Sequence, residues 1–228
     1  MKIISFYNCK GGVSKSTLTI LSGLYLSKNK KILLVDVDPQ KSITNSLLTI
    51  KAEKTLLDFL VNDAEINNCI YSIHSNLDLL PSSIQLDIIQ SLFTKFQKVL
   101  RTLNYDYIFI DCPPYQSALV TNSILASDMV AIPSCLSLMD FESLTYAIKR
   151  IRELDDKKKL SIILSRVGKE PTKEEGDYLQ TINTTNIKVT RFPNNSIIRK
   201  LIDKQDDFYL KKYDKIRDSI KKVLDVIL

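Results

Sequence analysis

Short apolar runs alternate with longer amphipathic stretches along this chain. KIISFYN, KILLVDVD, NLDLLPS, YDYIFIDCP, DMVAIPS, KLSIILSRV and IKVTRF are rich in β-branched and aromatic residues and read as strands. Segments 15–28, 84–101, 117–127, 138–154 and 172–184 carry apolar residues at helical spacing. Strand and helix thus alternate as β-α-β units. Several strands are apolar at every position instead of every second one, which predicts burial on both faces. The expected fold is α/β: a mostly parallel β-sheet flanked by helices on both faces. Residues 51–76 are the least regular stretch and are expected as a short helical insertion.

Composition changes this picture little. The 228 residues include five glycines, and no low-complexity tract or repeat reads as a linker, so 1–228 is expected to be a single domain. The net charge of +6 suits an acidic partner such as DNA, RNA or an anionic membrane, and equally suits a solvated lysine-rich surface. Cys9, Cys69, Cys112 and Cys135 lie far apart and His74 is the one histidine, which excludes a Cys/His zinc site and a His-dependent triad. No apolar run reaches the ~18 residues of a membrane span, and IISFY is too brief for a signal-peptide core. The expectation is a soluble, cytoplasmic chain with reduced thiols.

Chemistry concentrates in SFYNCKGGVSKSTLTI, where a strand gives way to a tight turn and then a helix. Such a turn can encircle phosphates with backbone N–H groups while the helix points its positive end at them. Lys15, one step before the helix, can reach the β- and γ-phosphates, and the Ser16 hydroxyl can ligate Mg²⁺. Lys10 stands at the loop's first turn and has no role in that cradle, so it needs a second function. The strict pattern G-x-x-x-x-G-K-[ST] fails, because Cys9 and Ser14 occupy its two glycine positions. Context restores the signal: ILLVDVDPQ and YIFIDCPP each end a strand in carboxylates, at the sheet edge where open α/β folds bind ligands. On this reading Asp111 holds the Mg²⁺ water shell, and Asp36 and Asp38 lie beside the γ-phosphate. A single such strand end is also how a helix-capping aspartate looks; three elements in this order argue against coincidence. Cys9 and Cys112 flank the loop without a histidine to activate them, and read as packing residues.

KGGVSKST (Lys10–Thr17), VDVDPQ (Val35–Gln40), FIDCPP (Phe109–Pro114) and IPSCLSLMDFESL (Ile132–Leu144) together resemble the ParA/Soj partition ATPases, within the MinD-like group of deviant Walker A P-loop ATPases. The likeness covers roughly the first two-thirds of the chain. It implies a P-loop NTPase fold with ATP/ADP and Mg²⁺ as cofactors. Lys10, Gly11, Gly12, Val13, Ser14, Lys15, Ser16 and Thr17 would bind nucleotide. Lys10 would reach the phosphates held by the other subunit of a nucleotide-sandwich homodimer, Asp38 would position the attacking water, and Ser16 and Asp111 would serve the metal. The resemblance further implies slow ATP hydrolysis, non-specific DNA binding, a small ParB-type partner that stimulates hydrolysis, and a nucleoid-associated location. Membrane positioning of the MinD type, protein-cargo positioning, and a nucleotide switch without hydrolysis remain as alternatives. Two departures stand out. Ser14 replaces a glycine at a position that tolerates close phosphate approach, and Asn194 stands where relatives often carry arginine after the proline of RFPNNS.

The first strand begins at Lys2, as in short family members without an N-terminal helix-turn-helix domain. From Arg191 onward there are ten Lys/Arg and six Asp/Glu. Arg199, Lys200, Lys204, Lys211, Lys212 and Lys215 recur at spacings that can form a helical stripe for DNA phosphates, or an ordinary solvated face. In the tail YDKIRDSIKKVLDVIL, Ile216, Ile220, Val223, Leu224 and Ile227 share one helical face. That face fits an interfacial anchor or, as the preferred reading, a final helix packed on the sheet with no stable membrane insertion.

Overall fold

The computed structural model describes residues 1–89, 94–168, 170–182 and 186–228. In chain order the elements are β1 (Lys2–Phe6), α1 (Lys15–Leu26), β2 (Ile32–Asp36), α2 (Ser42–Leu47), α3 (Leu56–Val61), β3 (Tyr71–His74) and β4 (Leu77–Leu80). They continue with α4 (Thr94–Leu100), β5 (Tyr107–Asp111), α5 (Ala118–Ala126), β6 (Met129–Ser134), α6 (Leu138–Leu154) and β7 (Lys159–Val167). The last are α7 (Lys173–Thr181), β8 (Lys188–Pro193), α8 (Ile197–Asp203) and α9 (Asp214–Ile227). The sheet runs β3-β4-β2-β5-β1-β6-β7-β8, parallel throughout except for β3, which pairs antiparallel with β4.

Successive residues of the parallel strands point to opposite faces, and both faces are buried. Ile3, Leu33, Ile108, Val130 and Ile162 join one core under α3 to α6. Ile4, Leu34, Phe109, Ala131 and Ile163 join the other, under α1, α2, α8 and α9. This explains the unbroken apolar runs. Gly23 lets α1 approach the sheet: a Cβ there would stand 2.8 Å from Leu34 Cδ2. Ile216, Ile220, Val223, Leu224 and Ile227 of α9 are buried in the second core, which bears out the packed-helix reading of the tail. Each such side chain contributes about 1.5–3 kcal/mol by leaving water. Among the described residues no helix is long and apolar enough to cross a membrane.

All seven expected strands are present. The expected helix 84–101 is instead a 3-10 turn at Ile84–Ile88 and the short α4, with 90–93 outside the described residues. Helix α7 ends at Thr181, so the expected end at 184 also falls outside them. The insertion 51–76 holds α3 and a 3-10 turn as expected, and also the edge strand β3. Helix α3 starts at a reciprocal cap, in which Thr55 and Asp58 satisfy each other's backbone N–H groups.

Strand order reverses around β1: the chain leaves it toward β2 on one side, and β6 follows on the other. In open parallel sheets such a point opens a crevice at the carboxyl ends of the strands.

Candidate functional site

Residues 7–14 run from the end of β1 into α1 at this crevice. Asn8 fixes the start of the loop by donating to the Pro133 carbonyl (2.7 Å) and accepting from the Lys10 N–H (3.1 Å). The Ser165 hydroxyl donates to the Val13 carbonyl (2.9 Å), while the Val13 side chain is buried. Gly12 has φ +75 and Ser14 φ 74 with ψ 21, so both occupy the left-handed region. Ser14 makes no side-chain bond to the helix it precedes. The first N–H groups of α1 therefore face the crevice with their partial positive charge.

A cavity of about 480 Å³ opens over this loop. Gly11, Gly12, Ser14, Lys15, Ser16 and Thr17 line its floor, and Asp38, Ser42, Ser46 and Pro114 one side. The opposite wall comes from the last third of the chain: Arg166, Phe192, Pro193, Asn194, Asn195 and residues of α8.

The two lysines of the loop have different surroundings. Lys15 is buried, and its ammonium donates to the Lys10 carbonyl at 2.8 Å. Burial lowers its pKa, against the pull of Asp111, Cys112 and Asp38. The Lys10 side chain leaves the loop, its Nζ lying 2.9 Å from Asp140 Oδ1 and 3.5 Å from Ser137 Oγ, both at the start of α6. Loop and α6 are thus joined through a charge the cradle does not use.

The carboxylates also divide. Asp111 is fully buried, and neither of its side-chain oxygens has a hydrogen bond of good geometry. Burial and then the Asp36 charge push it well above the ordinary carboxylate range, opposed by the Ser16 hydroxyl and Lys15. Asp38 lines the cavity, accepts the Gln40 N–H at 2.9 Å, and is raised by burial. Asp36 was expected beside Asp38 in the crevice, but it is fully buried and does not line the cavity. Its oxygens accept from the Asp38 N–H (3.2 Å) and from the Thr44 N–H (2.9 Å) and hydroxyl (2.7 Å). It ties β2 to α2, and burial pushes it up to about 6 despite those bonds. Cys112 is buried with its thiol pushed up by burial, and Cys9 donates to the Ser143 carbonyl, consistent with packing roles.

The basic residues of the last third do not form one stripe. Arg199 lines the cavity and lies 3.5 Å from Asp203. Lys200 and Lys204 are exposed at the end of α8, and Lys211 and Lys215 are exposed around the start of α9. Lys212 is 2.5 Å from Asp206 and covers the Tyr213 ring. The Arg217 guanidinium donates to the Phe208 and Leu210 carbonyls and contacts Asp214.

Sequence reasoning missed Arg166. It is the bulged residue between the β7–β8 pairs Ser165–Phe192 and Val167–Pro193, at φ 58, and it shares the cavity wall with Asn194. The available signal was the turn-forming PNN of RFPNNS, which places a strand end at the same sheet edge as the loop.

A family profile described as an AAA domain matches residues 1–163. The chain is 37% identical over 164 residues to the sporulation initiation inhibitor protein Soj of Bacillus subtilis, covering 66% of this chain and 65% of that protein. It is 30% identical over 223 residues to the chromosome-partitioning ATPase Soj of Treponema pallidum, covering 86% and 88%. Among solved structures, a Borrelia burgdorferi B31 protein assigned to plasmid partition and bound to AMPPNP superimposes with a TM-score of 0.82. That match has 29% identity and covers 99% of this chain and 97% of the other. By profile, sequence and fold, this chain belongs to the ParA/Soj family of P-loop ATPases.

Proposed function

We propose that this chain is a DNA-partition ATPase that dimerises around ATP, binds DNA without sequence preference as the dimer, and leaves it on hydrolysis. The observation that carries this reading is the division between the two lysines. Lys15 lies within the cradle, whereas Lys10 is directed out of it to Asp140. A cation at the rim that its own loop does not use is suited to phosphates held by a second copy. It would favour the two-subunit state while a γ-phosphate is present.

Residues 10–17 would hold the nucleotide, with backbone N–H groups and the α1 terminus around the phosphates. The donor set fits Mg²⁺, because two buried Asp111 oxygens lack partners close to the Ser16 hydroxyl, and hard oxygen ligands suit that ion. Mg²⁺ when bound would neutralise phosphate charge. Asp38, on the cavity wall and raised by burial, is suited to orient a water and hold its proton. The left-handed Ser14 supports slow basal turnover. A small ParB-type protein would accelerate that turnover, and the setting would be cytoplasmic and nucleoid-associated.

Light scattering with ATP, ADP or no nucleotide tests the assembly. Dimers are expected with ATP alone, and a monomer in all three would overturn the reading. DNA binding is tested by a salt series on random duplex. Affinity should require ATP and fall with a slope near −0.9 per phosphate neutralised. Reversal of the exposed charges Lys200, Lys204, Lys211 and Lys215 to glutamate should abolish it. Equal binding with ATP and ADP would refute the switch.

A further inference from the structure

A second cavity, of about 440 Å³, lies at the opposite end of the sheet, where β1, β6, β7 and β8 begin. Its charged lining is mostly cationic: Lys2, Arg152, Lys157, Lys158, Lys159 and Lys188 face two carboxylates, the Asp156 side chain and the terminus at Leu228. Two of these cations build the wall. The Arg152 guanidinium donates to the carbonyls of Asp156 (2.8 Å) and Lys158 (2.6 Å). Lys158 is buried, with its ammonium on the Ser127 carbonyl (2.7 Å) and 3.1 Å from Asp155.

Lys157, Lys159 and Lys188 are exposed and, among the described residues, form no ion pair. Lys2 joins them from β1, with its ammonium on a backbone carboxylate oxygen of Leu228, the last residue, so its charge is already paired within the cleft. Burial, then the charges of Lys159 and Lys188, lower the Lys2 pKa; Asp128 acts the other way. Like charges are therefore brought together at a concave surface, which costs stability unless an anion joins them.

We propose that this cleft is an anion site for clustered phosphate groups, separate from the nucleotide loop at the other end of the strands. Its concavity and the exposed ammonium groups of Lys157, Lys159 and Lys188 on its lining suit a compact run of linked phosphates, which carries several charges within a few ångströms. Such a run can come from a free polyphosphate or from a nucleic-acid backbone.

The probe is sodium tripolyphosphate, titrated calorimetrically at constant ionic strength into protein carrying Lys15→Ala, so that the loop lysine does not compete. The same titration is run with Lys159→Gln and Lys188→Gln added, and melting is followed for both proteins. Binding is expected to weaken at least about tenfold in the doubly neutralised protein. Its ligand-free Tm should rise, because repulsion is relieved, while its stabilisation by tripolyphosphate should be lost. Equal affinity in the two proteins, or an equal response to sodium chloride at matched ionic strength, would overturn the site. Lys188→Gln alone, at an exposed position, gives a milder second variant. Displacement of tripolyphosphate by duplex DNA would identify nucleic acid as the source, and failure to displace would identify a free polyphosphate. The titration is independent of the partition reading: loss of the ATP switch would leave it unchanged.

Discussion

The ammonium of Lys10 stands 2.9 Å from Oδ1 of Asp140, whose side chain is only 4% exposed. The contact is an ion pair without a well-directed hydrogen bond, since that oxygen has no partner of good geometry. In the proposed dimer Lys10 must leave Asp140, so the pair holds it in the single-subunit arrangement. Asp140→Asn is expected to favour ATP-dependent dimers several-fold, and Lys10→Ala to abolish them with ADP affinity nearly intact. Light scattering and ADP titration check both. Full dimerisation of Lys10→Ala with ATP would end the sandwich assignment.

Ser14 and Arg166 are both left-handed without being glycine, which costs about 1 kcal/mol or more at each. Each change to glycine should stabilise the protein by about that amount, and the two should then differ in binding. Ser14→Gly is expected to bind ATP at least as tightly, since only strain is removed. Arg166→Gly removes a cation from the cavity wall and should weaken ATP binding while raising Tm. Parallel melting curves and nucleotide titrations separate the two effects.

Asp38→Ala should trap the ATP-bound dimer, with phosphate release falling by about 10²-fold or more, as expected for loss of a group that positions the nucleophile. Asp36→Ala should act differently, unseating Thr44 and α2 and appearing first as lost stability. A wild-type rate in Asp38→Ala would remove that residue from the mechanism.

Asp128 supplies a pH dependence. Burial works to raise its pKa, but two bonds from Arg101 (2.8 and 3.0 Å) and the Ile3 N–H (2.7 Å) hold it below the usual carboxylate range. A depressed folded-state pKa means the stabilisation is present above the unfolded value of about 3.9. It is lost as pH falls through the folded value. Arg101→Ala should therefore destabilise the protein more at pH 7 than at pH 3, where Asp128 has begun to bind its proton, measured by urea unfolding. Equal losses at both pH values would contradict this.

What was legible in the sequence follows from burial. The seven strands found in advance are apolar runs or lie in the parallel body of the sheet. Tyr71–His74 escaped notice because it is a four-residue edge strand with alternating partial exposure, and YSIH carries little β signal. The floor of the cavity is contiguous in sequence and was readable at Lys10–Thr17. Its far wall was not, because Arg166, Asn195 and Arg199 meet the loop only once β8 sits at the sheet edge and α8 folds back. Asp36 was misjudged for a related reason: its partner Thr44 lies eight residues on, in a helix too short to show a period.

Helix α9 lies against α1, the helix that begins at the phosphate-facing loop, and against the strands β6 to β8. Deleting the last dozen residues would therefore not yield the same protein without a tail. It would strip the inner side of α1 of Ile220, Val223, Leu224 and Ile227 and leave an open hydrophobic trough. Such a shortened protein would adhere to vesicles, chaperones and itself whether or not the intact one ever meets a lipid. Vesicle binding is better judged with the whole chain, by changing the exposed Lys221 and Lys222, which leaves the keel of the molecule in place.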